Sequence, residues 1–383
     1  MNKISRRLRQ IEAAYERERS DAPGLYAELA QYPAEHQKLL VRNSSRFQTW
    51  GFCETLLLRS QDLNFQDPSA AEKLALLALE ALHHLDASFY GAEPIEDLRA
   101  RAWAYVANSR RVRADFRGAE DAFALAFACL KRGTSEPMEK ALLLDLKASL
   151  LTTQRQYPKA LGLLRRAVAI FLEFGETHRA GRALVKMSTA HYFMGEQEQA
   201  IRLLYQSLEL IDLTREPRLL LVAWHNLIDN LAELGKFMEA QKLLVKARPL
   251  YRRFSDPWSR HPRRWVEGRI ARGLGQLEQA ESFLLAARDG FLAEGSAYDT
   301  ALVSMDLASL YSEQGRSREV KQIAEEMLPV FSSRQLPEQA LAALTFWRQA
   351  VEAEQTCVQL VNNIAAFLKR VRHDPDLRFQ APE

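Results

Sequence analysis

Gly195-Glu196-Gln197-Glu198-Gln199-Ala200 returns forty residues later as Gly235-Lys236-Phe237-Met238-Glu239-Ala240, then as Gly275-Gln276-Leu277-Glu278-Gln279-Ala280, and again as Gly315-Arg316-Ser317-Arg318-Glu319-Val320. Self-similarity at a fixed period marks stacked structural units, each too small to bury its own apolar face alone. Upstream of Gly235, residues Trp224, Leu227, Ile228 and Leu231 recur at spacings of three and four, which is one face of a helix. Gly235 suits the left-handed residue that closes that helix. Downstream, Ala240, Leu243, Leu244 and Ala247 mark a second amphipathic helix, and Pro257 punctuates its exit.

The same places can be followed along the chain. A small residue recurs as Ala119, Ala160, Ala200, Ala240 and Ala280, then Val320. A small side chain there lets the second helix approach the first closely. Four residues on stand Phe123, Leu164, Leu204, Leu244 and Leu284, then Ala324. Pro137, Pro217, Pro257 and Pro337 share the register and suit loops ahead of each unit. With these residues in place, each unit resembles a tetratricopeptide repeat. The best copy carries Trp224, Leu227, Gly235, Ala240, Leu244 and Ala247 at the family's positions. Two departures stand out. The period is 40 rather than the family's 34. Ala114 and Arg155 replace the turn glycine in the two earlier copies.

The resemblance covers residues 95 to 335 and implies an all-α, right-handed α-solenoid of stacked antiparallel helix pairs. The expected organisation is an N-terminal helical segment over residues 1–42, with helices at 4–19 and 23–31. A repeat array over 43–335 follows, with one degenerate and six clear helix pairs. Its degenerate pair opens with a helix over 45–61 and a second from Asp67-Pro68-Ser69. C-terminal capping helices at 339–354 and 357–371 and a polar tail complete residues 336–383. No alternating run with a hairpin turn suggests a strand.

Composition excludes several function classes. Lys plus Arg exceed Asp plus Glu by only 3 (52 against 49), so the whole chain makes no argument for nucleic acid. Cys53, Cys129 and Cys357 are sparse and far apart, giving neither a disulfide framework nor a metal spacing. Charge persists through Met1 to Glu12 where a signal peptide needs an apolar stretch, and no apolar run approaches the ~20 residues that span a bilayer. The expectation is a soluble cytoplasmic protein without a membrane partner. No phosphate-binding glycine loop, His-Glu-x-x-His pair or nucleophile elbow is present. His83 and His84, being adjacent, diverge around a helix axis and make no pair of ligands. We therefore expect no enzyme, no cofactor and no metal.

In the family the chain resembles, the first helix of each pair lines a concave groove that holds extended peptides or helices. Counting from the register places Asn108 and Arg111 there, then Lys186 and Tyr192, then His225, Asn226 and Asp229, and finally Trp265, Arg269 and Arg272. Met305 and Ser309 fall at the equivalent places further on. An ordinary solvated helix face is the alternative for each. The mixture of cations, carboxylates, amides and aromatics suits a peptide or protein, with Asn226 able to bond a backbone amide. The family's chaperone-type carboxylate clamp is not reproduced. Asn226 could serve as its middle asparagine, but Val185, Thr189, Pro262 and Val266 stand where the flanking units need Lys, Asn and Arg.

Residues 248 to 272 hold Arg248, Arg252, Arg253, Arg260, Arg263, Arg264, Arg269 and Arg272, interleaved with Trp258, His261 and Trp265. That composition is compatible with a solvated face paired to neighbouring acids, an anchor for an acidic protein partner, or a platform for single-stranded nucleic acid. The leading expectation is a non-enzymatic protein- or peptide-binding scaffold. The alternative is a ligand- or peptide-responsive regulator, because bacterial quorum-sensing regulators have a similar layout of long-period repeats behind an N-terminal helical segment. An RNA-binding helical array ranks below both, and a nucleic-acid partner is not the expectation.

Overall fold

The computed structural model describes residues 3–327, 336–374 and 377–381. Among the described residues there are 19 α-helices and no strand, as the repeat register predicts. The chain divides into two compact units, residues 1–183 and 184–383.

The first unit contains α1 (Lys3–Leu29), α2 (Ala34–Asn43), α3 (Trp50–Leu63), α4 (Pro68–His83), the short α5 (Ala87–Tyr90), α6 (Ala92–Val112), α7 (Phe116–Arg132), α8 (Pro137–Thr153) and α9 (Tyr157–Glu173). Helices α3 and α4, α6 and α7, and α8 and α9 pack as pairs, with α1 against α3 and α2 against α4. The N-terminal expectation is corrected here. One helix, α1, runs through Pro23 where two were expected, and the second N-terminal helix is α2. Proline removes one internal hydrogen bond from a helix. Burial of Ala22 and Leu29 on either side holds α1 together across it. The helix expected from residue 45 begins at Trp50 instead, because the Thr49 side chain accepts the Phe52 N–H at 3.3 Å and caps it there.

Helix α10 (Thr177–Phe193) spans the division between the units. The second unit continues with α11 (Gln197–Leu210), α12 (Pro217–Glu233), α13 (Phe237–Arg253), α14 (Pro257–Gly273), α15 (Leu277–Ala293), α16 (Ala297–Glu313), α17 (Ser317–Glu326), α18 (Glu338–Glu352) and α19 (Val358–Val371). Consecutive helices pair from α12 to α19, and α19 also packs on α16. Residues 328–335, the end of the expected array, and Pro375-Asp376 of the expected tail lie outside the described residues.

The long period now has a cause. First helices start at residues 137, 177, 217, 257 and 297, and second helices at 157, 197, 237, 277 and 317. Two seventeen-residue helices and two three-residue turns make up the repeat, α11 (14 residues) and the described part of α17 (10 residues) being shorter. The turn from each first helix to its second closes in the same way. Lys236 N–H bonds the Leu231 carbonyl at 2.9 Å while Gly235, at φ 72°, bonds Ala232 at 3.1 Å. This is the double closure of a left-handed cap. Ala119, Ala160, Ala200, Ala240 and Ala280 are fully buried at the helix contacts.

Charges spaced about one period apart stitch neighbouring repeats. Arg42 pairs with Glu80, Arg110 with Glu72 and Arg101 with Glu139 in the first unit. Arg218 pairs with Asp256 and Arg288 with Glu326 in the second.

Candidate binding site

Six of the ten groove residues expected from the register come together in the second unit. Tyr192, His225, Asn226, Asp229, Trp265 and Arg269 line one cleft of about 560 Å³. Helices α10, α12 and α14, which begin one period apart, supply them; His225 and Trp265, and Asp229 and Arg269, are forty residues apart. Positions forty residues apart occupy equivalent places on successive first helices.

Beneath the cleft lies a charge network. Arg269, whose side chain is only 13% exposed, donates to Asp229 Oδ1 at 2.7 Å and also to Glu233. Lys369, 136 residues further along, reaches both oxygens of Glu233 at 2.8 and 2.9 Å. Burial alone would depress the Arg269 guanidinium, but Asp229 and Glu233 outweigh it and hold it above its ordinary value. Burial likewise pushes the Glu233 carboxyl up, and Arg269 and Lys369 reverse the sign and keep it below the usual carboxylate range. His225 Nδ1 lies 2.8 Å from the Tyr251 hydroxyl, and burial pulls its pKa below that of a free histidine. Asn226 is half-buried, and its side-chain amide makes no hydrogen bond among the described residues.

The remaining wall is aromatic. Trp258, His261, Pro262 and Trp265 follow one another down the cleft side of α14, from Trp258, 85% exposed, to the buried His261 and the half-buried Pro262 and Trp265. Trp265 donates its indole N–H to Asp306 at 2.6 Å and meets Phe291 edge-on. Gly290 makes room for His261, because a Cβ there would collide with the imidazole. The far wall is the last turn of α19. There Arg372 lies 2.8 Å from Asp299, and His373 stacks on Phe193 at 4.0 Å.

The other expected residues are placed differently. Asn108 and Arg111 belong to the first unit, where Arg111 Nε donates to Asn108 Oδ1 at 3.0 Å. Lys186 is half-buried on α10 and is not part of the cleft lining. Arg272 lies beside the cleft and pairs with Glu313 at 2.5 Å while also donating to Ser309. Met305 is fully buried. Of the arginine cluster, Arg263 and Arg264 pair with Glu267, and Arg269 and Arg272 are engaged as described. Arg269 is therefore a structural tie. Reversing its charge would leave Asp229 and Glu233 facing a like charge, so the loss would report on folding as much as on capture.

Sequence reading missed the α19 wall, which it took for an outer cap. No periodic signal connects Lys369 to Glu233. The one hint was the basic run Lys369, Arg370, Arg372 at a helix end, which is equally the usual complement to a helix dipole.

Among the described residues no group of His, Cys, Asp or Glu could hold a metal ion, and no helix is long and apolar enough to cross a membrane.

Comparison with known proteins agrees with this architecture. Residues 139–212 match the sequence profile of the tetratricopeptide repeat. No curated protein matches the chain. Among solved structures, the apo form of RapI is similar at TM-score 0.62 and 12% identity, over 85% of this chain and 88% of that one. A Rap protein complexed with competence and sporulation factor has the same coverage and identity at TM-score 0.60. The apo form of the quorum sensor NprR from B. thuringiensis is similar at TM-score 0.55 and 13% identity, over 93% of this chain and 99% of that one. At such identities the likeness concerns the fold. The chain is a tetratricopeptide-like array of stacked helix pairs.

Proposed function

We propose that this chain is a non-enzymatic binding module that takes a short peptide into the cleft of its second unit and acts as a peptide-responsive regulator. The observation that carries the reading is Asn226. Its amide is unbonded in a cleft whose buried charges are already neutralised by one another. An asparagine amide offers both a donor and an acceptor, which is what a peptide backbone requires. Trp258, Trp265 and Phe291 offer stacking surface beside it. A cleft of this volume falls within the ~300–1,000 Å³ range of small-ligand sites, which favours a short segment over a folded protein surface. Two solved structures with this fold support the regulatory side, one complexed with competence and sporulation factor and one a quorum sensor.

The cleft chemistry supports binding over catalysis. Ser296 donates to Asp299 rather than to a histidine, and His225 meets a tyrosine hydroxyl. Four carboxylates and four Lys or Arg cations line the cleft, which does not suit a polyphosphate backbone.

The test is retention of a randomised pentapeptide pool with free termini by wild type and Asn226→Ala. Wild type should retain a defined subset. The variant should bind that subset about tenfold more weakly, as expected for losing a paired amide, with its melting temperature unchanged. Equal retention by both proteins would remove Asn226 from the site. Retention of no peptide by wild type would end the peptide reading.

A further inference from the structure

Helix α19 is held by its apolar face. Val361, Ile364, Leu368 and Val371 are all fully buried, so the last turn is presented to the cleft on a fixed support. Tyr298 donates its hydroxyl to the Leu368 carbonyl and pins that turn further. Three cations sit on or just beyond it. Lys369 pairs with Glu233 and Arg372 with Asp299. Arg370, between them, lines the same cleft and is exposed, yet no carboxylate lies within 4 Å of it among the described residues.

The cleft does not supply an internal partner for Arg370. Asp229 and Glu233 face Arg269, and Asp299 faces Arg372. Glu294, the remaining lining carboxylate, makes no ion pair among the described residues, Arg370 included. A guanidinium left unclaimed on a rigid wall is a planar fork that accepts a carboxylate through two parallel bonds. An arginine placed only to offset the helix dipole could face bulk solvent as well as a cleft.

We propose that Arg370 binds the free α-carboxylate of the peptide, so that α19 reads the C-terminus of the ligand. This rests on the peptide reading above and deepens it. The ligand is an unblocked peptide acid, oriented with its C-terminus toward α19 and its backbone against Asn226.

The experiment uses the full chain and two pentapeptide pools, identical except for a free-acid or an amidated C-terminus, with wild type and Arg370→Gln. Wild type should bind the acid pool roughly tenfold better than the amide pool. Arg370→Gln should bind both alike, at the level wild type shows for the amide. An unchanged amide level reports that the fold and the rest of the cleft are intact. Equal binding of acid and amide by wild type, or an acid preference that survives in Arg370→Gln, overturns the carboxylate assignment and leaves the peptide cleft standing. Retention of neither pool by wild type overturns the peptide reading, and this inference falls with it.

Discussion

At the scale of single residues, the second unit is built around groups whose protonation the fold has set. His225 is kept neutral by burial, with its pKa below the ordinary 6.5 or so. Glu233 is kept charged by Arg269 and Lys369, below the ordinary 4.5 or so, even though burial opposes this. Both shifts have the same sign for linkage. Between the folded and unfolded pKa the unfolded chain binds the extra proton, so each contribution is complete above the unfolded value and is lost as pH falls through the folded one. Acidification should therefore lower the melting temperature in two stages, the first below about pH 6.5 and the second below about pH 4.5. Melting curves between pH 8 and about pH 3 on wild type and His225→Gln would resolve them. The variant keeps a polar group for Tyr251 and removes the titration, so its first stage should shrink. A first stage of undiminished size would shift the origin to His261, whose pKa burial and Arg260 also depress.

At the scale of the element, the turn between paired helices was the most legible feature. It is also where the sequence departs most plainly from its own rule. Glycine at 195, 235, 275 and 315 adopts positive φ, as its place after each first helix implies. In the two earlier copies Ala114 and Arg155 adopt it as well, at φ 62° and 61°. Packing of α6 on α7 and of α8 on α9 demands the same turn whether or not the residue favours it. A side chain in that region costs roughly 1–2 kcal/mol, against about 0.4–1 kcal/mol lost when glycine loosens the unfolded chain. Ala114→Gly should thus stabilise the first unit by about 0.5–1 kcal/mol, measured as a rise in urea midpoint at constant m-value. A fall in the midpoint would mean that the turn is not strained at Ala114. Helix α19 is the opposite case. Its existence and limits were legible from the pattern of Val361, Ile364 and Leu368, but its place against the cleft was not. Periodicity records which face of a helix is buried and carries no record of which distant helix covers it.

At the scale of the whole molecule, stacked repeats confine each contact to near neighbours, so a cleft belongs to the repeats that line it. Every lining residue lies between Tyr192 and His373, inside the second unit. The sequence placed Asn108 and Arg111 in the same groove as Asn226 because register assigns equivalent positions without saying where along an array a ligand sits. In the second unit α19 packs on α16, and its C-terminal end supplies a fourth wall to the cleft. A fragment beginning at Glu176, in the turn ahead of α10, keeps that helix whole and retains every lining residue. It should fold cooperatively, as followed by helical circular dichroism, and retain the same pentapeptides with affinity within about threefold of the full chain. A folded fragment that no longer binds would place part of the recognition before residue 176. A fragment that binds as well as the full chain would make the first unit the candidate output element, whose coupling to the cleft could then be measured by its effect on peptide affinity.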